Sequence, residues 1–243
     1  SKITPLDVAL LDYLDFLINE PTRKWGHIAV DEAQDLSPME LAMISRRLDA
    51  SATLSLAGDL AQQTGTQYYE AWDGVLQLLE QEFNYSQKQL TRSYRVPSEI
   101  LNYAKQFLDQ SRINVAPSEP FLHRENSLEY SVIEDPKKRV MDVIARATEH
   151  LGNKESVLIL APKSIRGIFA GYSFPDNGNA HVRVMDPTEV KGLEFDAVLI
   201  VDPQDILEDY SWGKSRLARL FYVLTTRSTK KLVLIGSNQA LIE

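Results

Sequence analysis

Residues 27–35 read HIAVDEAQD, a short apolar run followed directly by an acidic segment. The apolar run predicts a buried strand, so the acidic side chains lie where that strand ends. In α/β proteins such a position can hold a hydrated Mg²⁺ and activate a water molecule. Asp31 is then the candidate metal ligand, and Glu32 is the candidate general base on the γ-phosphate side. Taken alone, the segment DEAQD fits a solvated strand end equally well.

The composition is that of a globular protein with an acidic balance. The chain has 243 residues, of which 44% are hydrophobic and 25% charged, enough for two modest domains or one large one. It carries 26 Lys and Arg against 34 Asp and Glu, a formal net charge of −8. Because phosphate binding needs clustered positive charge, this balance argues against a broad nucleic-acid-binding face and leaves room for a narrow groove.

The residue types present exclude several kinds of chemistry. The chain has no Cys, which excludes disulfides, thiolate catalysis and Cys-ligated zinc. Its four His residues lack the spacing of a metal site. No stretch has the length of a membrane span, and the N-terminal segment lacks the basic and apolar regions of a secretory signal. We therefore expect a cytoplasmic protein with no membrane partner.

Strands and helices are predicted to alternate along the chain. Apolar runs predict strands at 27–30, 53–57, 130–133, 157–161, 181–185, 197–201 and 232–235, with a strand edge at 89–91. Helices are predicted near 5–17, 38–48, 71–82, 97–109, 136–151, 163–170 and 214–226, and a loop at 112–126. Since the strands are apolar throughout, the pattern predicts an α/β fold with parallel sheets covered by helices on both faces. A break near residue 90 predicts two domains, 1–90 and 91–243.

Five short motifs occur in a defined order. They are DEAQD at 31–35, AGDLAQ at 57–62, LTRSYR at 90–95, VKGLEFD at 190–196 and FYVLTTR at 221–227. This series resembles motifs II to VI of the superfamily 1 DNA helicases of the UvrD/Rep type, and most closely the HelD-type helicases associated with bacterial RNA polymerase. The resemblance implies RecA-like motor domains. It makes 1–90 the C-terminal part of the first, with motifs II and III, and 91–243 a complete second, with motifs IV to VI.

The resemblance implies ATP hydrolysis, with ATP and Mg²⁺ as cofactors. Such a reaction needs a clamped triphosphate, an oriented water and cationic groups around the developing charge. Beside Asp31 and Glu32, the resemblance makes Gln62 a sensor of the γ-phosphate. It makes Arg95 and Arg227 sources of positive charge from the second domain. A surface ion pair is the alternative for each arginine taken alone.

The resemblance also implies contacts to the rest of the nucleotide. Tyr94 would stack on the adenine, and Gly192 and Glu194 of motif V would bind on the nucleotide side of the cleft. Motif V departs from the family just before these residues. Asp186 and Thr188 stand where Thr and His are usual, a departure that bears on contact with a nucleic-acid strand more than on contact with the nucleotide.

Aromatic residues follow motif III at Tyr68, Tyr69 and Trp72. Aromatic faces can stack on the bases of single-stranded nucleic acid. The family usually carries an aromatic pair directly after the motif III Gln, whereas this chain has QTGTQ at 63–67. Core packing is therefore an equal alternative for these three side chains.

The phosphate-binding loop of the form GxxxxGKS/T does not occur in the sequence. Gly213-Lys214-Ser215 does not qualify, because Glu208 stands where the first Gly is required. The family places this loop before motif II. We therefore expect the chain to be the C-terminal part of a larger helicase and to be inactive alone.

Two functions from different classes stay open. The first is a part of an ATP-dependent helicase or translocase that moves 3′–5′ on DNA, with single-stranded DNA as its partner. The alternative is a nucleotide-regulated module that binds RNA polymerase with little unwinding activity, which the acidic balance and the altered motif III favour. A degenerate structural domain is disfavoured because the motif residues occur together: Asp31, Glu32, Gln62, Arg95 and Arg227.

Overall fold

The computed structural model describes residues 5–19, 24–65, 69–79, 84–116, 118–175, 178 and 180–237. The chain divides into two compact units. The first unit comprises residues 1–89 and 112–115, and the second comprises residues 90–111 and 116–243. The division between Gln89 and Leu90 lies beside the break that the sequence predicts. The return of residues 112–115 to the first unit is a feature that the sequence does not predict.

The first unit contains three helices and a pair of strands in its described part. These are α1 (Pro5–Ile18), β1 (Trp25–Val30), α2 (Pro38–Arg46), β2 (Leu48–Leu56) and α3 (Trp72–Leu76). Short 3₁₀ turns follow each strand, at Ala33–Asp35 and Leu60–Gln62. The helix predicted over 71–82 is wrong in length, because α3 ends at Leu76 and a turn follows it.

The start of α2 follows from its sequence, Ser37-Pro38-Met39-Glu40. The Ser37 hydroxyl accepts a hydrogen bond from the Glu40 N–H at 3.3 Å, and the Glu40 carboxylate accepts one from the Ser37 N–H at 2.8 Å. Pro38 occupies the first helical position, where its missing N–H costs nothing. This reciprocal capping satisfies two backbone donors that the helix itself leaves unpaired.

The strands β1 and β2 pair in parallel, from His27 opposite Thr53 to Val30 opposite Leu56. The prediction that residues 27–30 form a buried strand is wrong in its burial. Ile28 and Val30 are half-buried, and His27 and Ala29 are exposed. Within the described residues this sheet has only two strands, too few to be enclosed on both faces as parallel sheets normally are. Several apolar side chains of α1 are exposed as well: Leu10, Leu11, Leu14, Leu17 and Ile18.

The second unit is built on a five-stranded, fully parallel sheet in the order β5-β9-β8-β6-β7. Its strands are β5 (Leu128–Val132), β6 (Val157–Leu160), β7 (Val182–Val184), β8 (Phe195–Val201) and β9 (Ser228–Gly236). Its helices are α4 (Ser98–Gln110), α5 (Pro136–Gly152), α6 (Lys163–Ala170), α7 (Pro203–Glu208) and α8 (Lys214–Thr225). The predicted α/β fold with helix-covered parallel strands is confirmed here, and the arrangement is consistent with a RecA-like domain.

Alternate residues of the central strands supply two separate cores. Val198 and Ile200 of β8 lie in the cluster that includes side chains of α4 and α8, whereas Ala197 and Leu199 lie in the cluster that includes side chains of α5 and α6. Successive side chains of a strand point to opposite faces, so a strand that is apolar at every position needs helices on both sides.

Two elements of the second unit, β4 (Glu119–Pro120) and α7, are missing from the sequence predictions. The strand edge predicted at 89–91 lies just before the observed strand β3 (Arg92–Ser93), which pairs with β4 inside the predicted loop. Two-residue strands and a six-residue helix are too short to show a hydrophobic period. Among the helices of the described residues, none is both long and apolar enough to cross a membrane.

Candidate functional site

The acidic motif of the first unit begins where β1 ends. Glu32 is exposed and has a backbone φ of +54°, in the left-handed region that residues other than Gly rarely occupy. Asp31 accepts the Glu32 N–H through its Oδ1 at 2.8 Å. Backbone strain of this kind is held in place by surrounding contacts and is concentrated at functional sites. The candidate general base therefore stands on a backbone that costs energy to maintain.

Motifs II and III are joined by a chain of hydrogen bonds. The Gln34 amide donates to Glu32 Oε2 at 2.5 Å, and its carbonyl oxygen accepts the Asp59 N–H at 3.1 Å. Asp59 in turn accepts the Gln62 amide through Oδ2 at 2.8 Å and the Ala61 N–H through Oδ1 at 2.9 Å. The structure thus connects two predicted site residues, Glu32 and Gln62, through the Gln34 side chain and through the backbone and side chain of Asp59. Neither Gln34 nor Asp59 is among the site residues predicted from the sequence.

Gly58 makes this connection sterically possible. A Cβ atom placed on Gly58 would lie 2.0 Å from Gln34 Oε1 and 3.1 Å from Cη2 of Trp72. The absence of a side chain therefore lets the amide of motif II approach the backbone of motif III. This close approach gives the Gly of the AGDLAQ segment a structural reason.

The aromatic residues after motif III have packing and hydrogen-bonding contacts. The Tyr69 hydroxyl donates to the Leu36 carbonyl at 2.6 Å, and its pKa is raised by burial and, secondarily, by the Glu40 charge. The Trp72 ring lies beside Gly58. These contacts favour core packing over base stacking for both residues, and Tyr68 lies outside the described residues.

The surroundings of Asp31 bear on its predicted role as a metal ligand. Across the described ranges, no group of three or more His, Asp or Glu side chains could hold a metal ion. Mg²⁺ at a nucleotide typically takes one or two protein carboxylates and obtains its other ligands from phosphates and water. A single exposed carboxylate at the end of β1 is therefore a suitable donor for a metal that arrives with its nucleotide.

In the second unit, Arg95 and Glu194 form an ion pair between motifs IV and V. Arg95 lies between β3 and α4, and Glu194 directly precedes β8. Both side chains are partly exposed, at 37% and 49% of their surface. A pair this open to solvent contributes at most about 1 kcal/mol to stability, so the fold itself has little need of it.

Arg227 lies beside the same segment and is only 1% exposed. Its Nε donates to the Val223 carbonyl at 3.0 Å and its Nη1 to the Leu193 carbonyl at 3.3 Å. The Arg227 carbonyl accepts the Phe195 N–H at 3.0 Å, so Arg227 and Glu194 lie at the neighbouring amino ends of β9 and β8. The surface ion pair considered for Arg227 does not fit a buried side chain.

Gly192 gives the turn before β8 its shape. The turn is closed by a hydrogen bond from the Leu193 N–H to the Val190 carbonyl at 3.1 Å. Gly192 has φ +75°, a conformation that Gly adopts without strain. The turn holds the Leu193 carbonyl, which accepts from Arg227, next to Glu194, which pairs with Arg95.

Tyr94 is exposed on the surface, where its ring contacts the ring of Phe121, a contact that the sequence does not predict. Its ring is 64% exposed and lies 4.7 Å, centroid to centroid, from the ring of Phe121, which is 59% exposed. The Phe121 N–H donates to the Ser93 carbonyl at 2.9 Å, so the short β3–β4 pairing brings the two rings together. Arg92 and His123 line a shallow pocket beside Phe121. Phe121 falls in the predicted loop, where no period marks it.

Asp186, the acidic departure in motif V, is fully engaged within the unit. It accepts hydrogen bonds from the Thr188 N–H and hydroxyl at 3.0 and 2.7 Å, from the Tyr210 hydroxyl at 2.8 Å and from Arg166 at 2.6 Å. Burial by itself would raise the pKa of Asp186, but these donors outweigh it and hold that pKa well below its usual range. The carboxylate is therefore a fixed negative charge just after β7.

We expect Asp186→Asn to lower the free energy of unfolding at neutral pH by roughly 1–3 kcal/mol, since four donors lose a charged acceptor. The pKa of Asp186 is lower in the folded than in the unfolded chain, so its charge stabilises the fold above the ordinary value of 3.8. That stabilisation is lost as the pH falls further. Urea unfolding at neutral and acid pH should show the wild-type advantage shrinking in acid. The exposed Asp109→Asn is the matched control, and an equal loss there would contradict the assignment.

Comparison with known proteins finds distant structural likeness. No protein-family model matches the chain, and no curated protein matches it. Among solved structures, it is similar to the C-terminal domain of a possible DNA helicase from Lactobacillus plantarum WCFS1. The two share 17% sequence identity with a TM-score of 0.40, over 61% of this chain and 96% of the other. The α/β assignment accordingly rests on the strand order and packing described above.

Proposed function

We propose that this chain is part of an ATP-dependent superfamily 1 helicase or translocase that moves 3′–5′ on single-stranded DNA in the cytoplasm. The observation that carries the proposal is the pairwise convergence of distant motifs within each unit. Glu32 and Gln62 belong to one hydrogen-bond chain in the first unit. Arg95, Glu194 and Arg227 are neighbours in the second. A degenerate domain would have no need to keep these sets together.

The proposed chemistry divides among the residues by charge and position. Glu32 accepts a proton from the attacking water, and Gln62 senses the γ-phosphate. Asp31 would hold the Mg²⁺ that accompanies ATP, and that ion would neutralise phosphate charge. Arg95 and Arg227 stabilise charge that grows as the terminal phosphoryl group departs.

The proposal includes a larger parent protein in which a phosphate loop completes the first unit. The chain contains no GxxxxGKS/T segment. In the described residues, the sheet β1–β2 has two half-exposed strands, and α1 exposes Leu14, Leu17 and Ile18. Exposed apolar surface of this kind usually marks a contact with another structural element. Further parallel strands, carrying the loop, would supply that contact.

A second candidate function is a nucleotide-regulated module that binds RNA polymerase and unwinds little. Asp186 favours it, because a fixed carboxylate stands where the related helicases carry a Thr. This carboxylate offers no donor to a phosphate backbone, and it pairs with the Arg166 cation that could otherwise contact one. The net charge of −8 acts in the same direction.

The 243-residue chain alone should show no appreciable Mg²⁺-dependent ATPase activity, because it lacks a phosphate loop. The parent protein should hydrolyse ATP, and single-stranded DNA should stimulate it if the motor function is right. Stimulation by RNA polymerase but not by DNA would favour the second candidate. Steady turnover by the 243-residue chain, abolished by Glu32→Gln, would overturn the inference that the loop lies elsewhere.

A further inference from the structure

Gln34 is a buried polar residue in an otherwise accessible motif. It is 2% exposed, whereas Asp31 and Glu32 on the same segment are exposed. A buried amide is retained where its hydrogen bonds are satisfied, and here one of its partners is a side chain of the candidate site. Its nitrogen donates to Glu32 Oε2 at 2.5 Å, and its oxygen accepts the Asp59 N–H at 3.1 Å.

The position of this amide is tightly determined. Gln34 lies in the 3₁₀ turn Ala33–Asp35, and the Ala33 N–H donates to the Ala57 carbonyl at 2.9 Å, which fastens the turn to the end of β2. The amide oxygen then sits over Gly58, where a Cβ would come within 2.0 Å. The backbone of both motifs thus fixes the donor that Glu32 meets.

Glu32 needs such a donor more than most carboxylates do. Its side chain is exposed and long, and its Oε2 accepts the hydrogen bond from the buried Gln34 amide. A general base must stand within hydrogen-bond reach of the water that it activates, and small misplacements cost large factors in rate. A fixed amide that binds one carboxylate oxygen orients the other.

We propose that Gln34 is a positioning residue for ATP hydrolysis. It aims the Glu32 carboxylate and, through Asp59, ties it to Gln62, so that the base and the γ-phosphate sensor keep one relative geometry. This inference rests on the proposed function, since it assigns Gln34 a part in the same reaction. Gln34 does not touch the nucleotide in this scheme, so its removal acts on turnover and spares binding.

The test uses Gln34→Leu in the parent protein, compared with Gln63→Leu as the matched control. Gln63 is equally buried at 1%, but its amide bonds to the backbone of Leu60 and Tyr69. Gln34→Leu should lower kcat by about 10–100-fold. The Kd for a non-hydrolysable ATP analogue should change less than about threefold, because Gln34 does not touch the nucleotide. Gln63→Leu should lower the melting temperature while the folded protein keeps the parental kcat.

A reciprocal exchange tests the contact itself. Gln34→Glu keeps an acceptor for the Asp59 N–H but sets one carboxylate against another, so it should lower both the melting temperature and kcat. Adding Glu32→Gln restores a donor and an acceptor with their positions reversed. The double variant should regain melting temperature relative to Gln34→Glu, while its turnover stays at the level of Glu32→Gln.

The outcomes separate this inference from the function on which it rests. Parental kcat in Gln34→Leu, an equal loss of kcat in Gln63→Leu, or no recovery of melting temperature in the exchange would each overturn the positioning role alone. A wild-type parent without Mg²⁺-dependent ATPase, or one indifferent to Glu32→Gln, would overturn the proposed function and the positioning role with it. The expected result is a wild-type ATPase that is lost in Glu32→Gln and reduced in Gln34→Leu.

Discussion

Glu32→Gln in the parent protein is expected to remove ATP hydrolysis while leaving ATP affinity unchanged. The amide keeps the size of the carboxylate but cannot accept a proton from the attacking water. Loss of a general base typically lowers the rate by ~10²–10⁴-fold. The amide oxygen of the new Gln can still accept from Gln34, so the hydrogen bond between them need not break. Single-turnover hydrolysis and analogue binding, measured on the same preparation, would separate the two effects.

Glu40→Gln is the control for this change. It makes the same chemical replacement in the same unit, at the capping box of α2, where the side chain supports the helix start. We expect it to shift stability slightly and to leave turnover at the parental rate. Hydrolysis at the parental rate in Glu32→Gln would show that another group activates the water.

The elements with a strong local sequence pattern are the ones that can be placed well from the sequence. Residues 157–161 and 197–201 are continuous apolar runs, and they form β6 and β8 at the centre of the five-stranded sheet. Ser37 and Glu40 mark the start of α2 because a capping box is a local arrangement of four residues. In both cases the structure follows from contacts between near neighbours in sequence or from a simple pattern of burial.

The contacts that shape the candidate site are not of this kind. The approach of Gln34 to Gly58 joins residues 24 positions apart, and the pairing of β3 with β4 places Phe121 beside Tyr94 across 27 positions. The periodicity of the sequence does not predict contacts between residues so far apart in the chain. The apolar run at 27–30 was expected to be buried because parallel strands usually are, yet β1 has a single strand as neighbour in the described residues.

Arg227 shows the same limit for a charged residue. An arginine near the end of an amphipathic helix is most often a solvated cation, and the sequence offers a surface ion pair as its alternative role. The structure instead buries it against the carbonyls of Val223 and Leu193. Loss of this side chain must therefore affect stability, whatever its part in the reaction.

Replacing Arg95 or Arg227 by Ala in the parent protein is expected to lower turnover strongly. The two variants should differ in how much the replacement changes the free energy of unfolding. A cation that faces the departing phosphoryl group can be worth ~10³-fold or more in rate. Arg95→Ala removes a half-exposed pair with Glu194, so the free energy of unfolding should change by only ~0–1 kcal/mol. Arg227→Ala should also destabilise the second unit, because it removes hydrogen bonds to the Val223 and Leu193 carbonyls and leaves a void in place of a buried side chain.

Arg219→Ala supplies the matched control for the buried arginine. Arg219 is as buried as Arg227 and lies in α8, which ends two residues before Arg227, but its side chain donates to Ser215 at the start of that helix. Turnover is compared per folded molecule, at a temperature below the transition of every variant. We expect Arg219→Ala to lose stability and keep turnover, whereas Arg227→Ala loses both and Arg95→Ala loses turnover alone. ATP hydrolysis at the parental rate per folded molecule in both Arg95→Ala and Arg227→Ala would contradict this assignment. The ion pair with Glu194 and the bonds to Val223 and Leu193 would then be structural features only. The charge that stabilises the transition state would have to come from elsewhere in the parent protein.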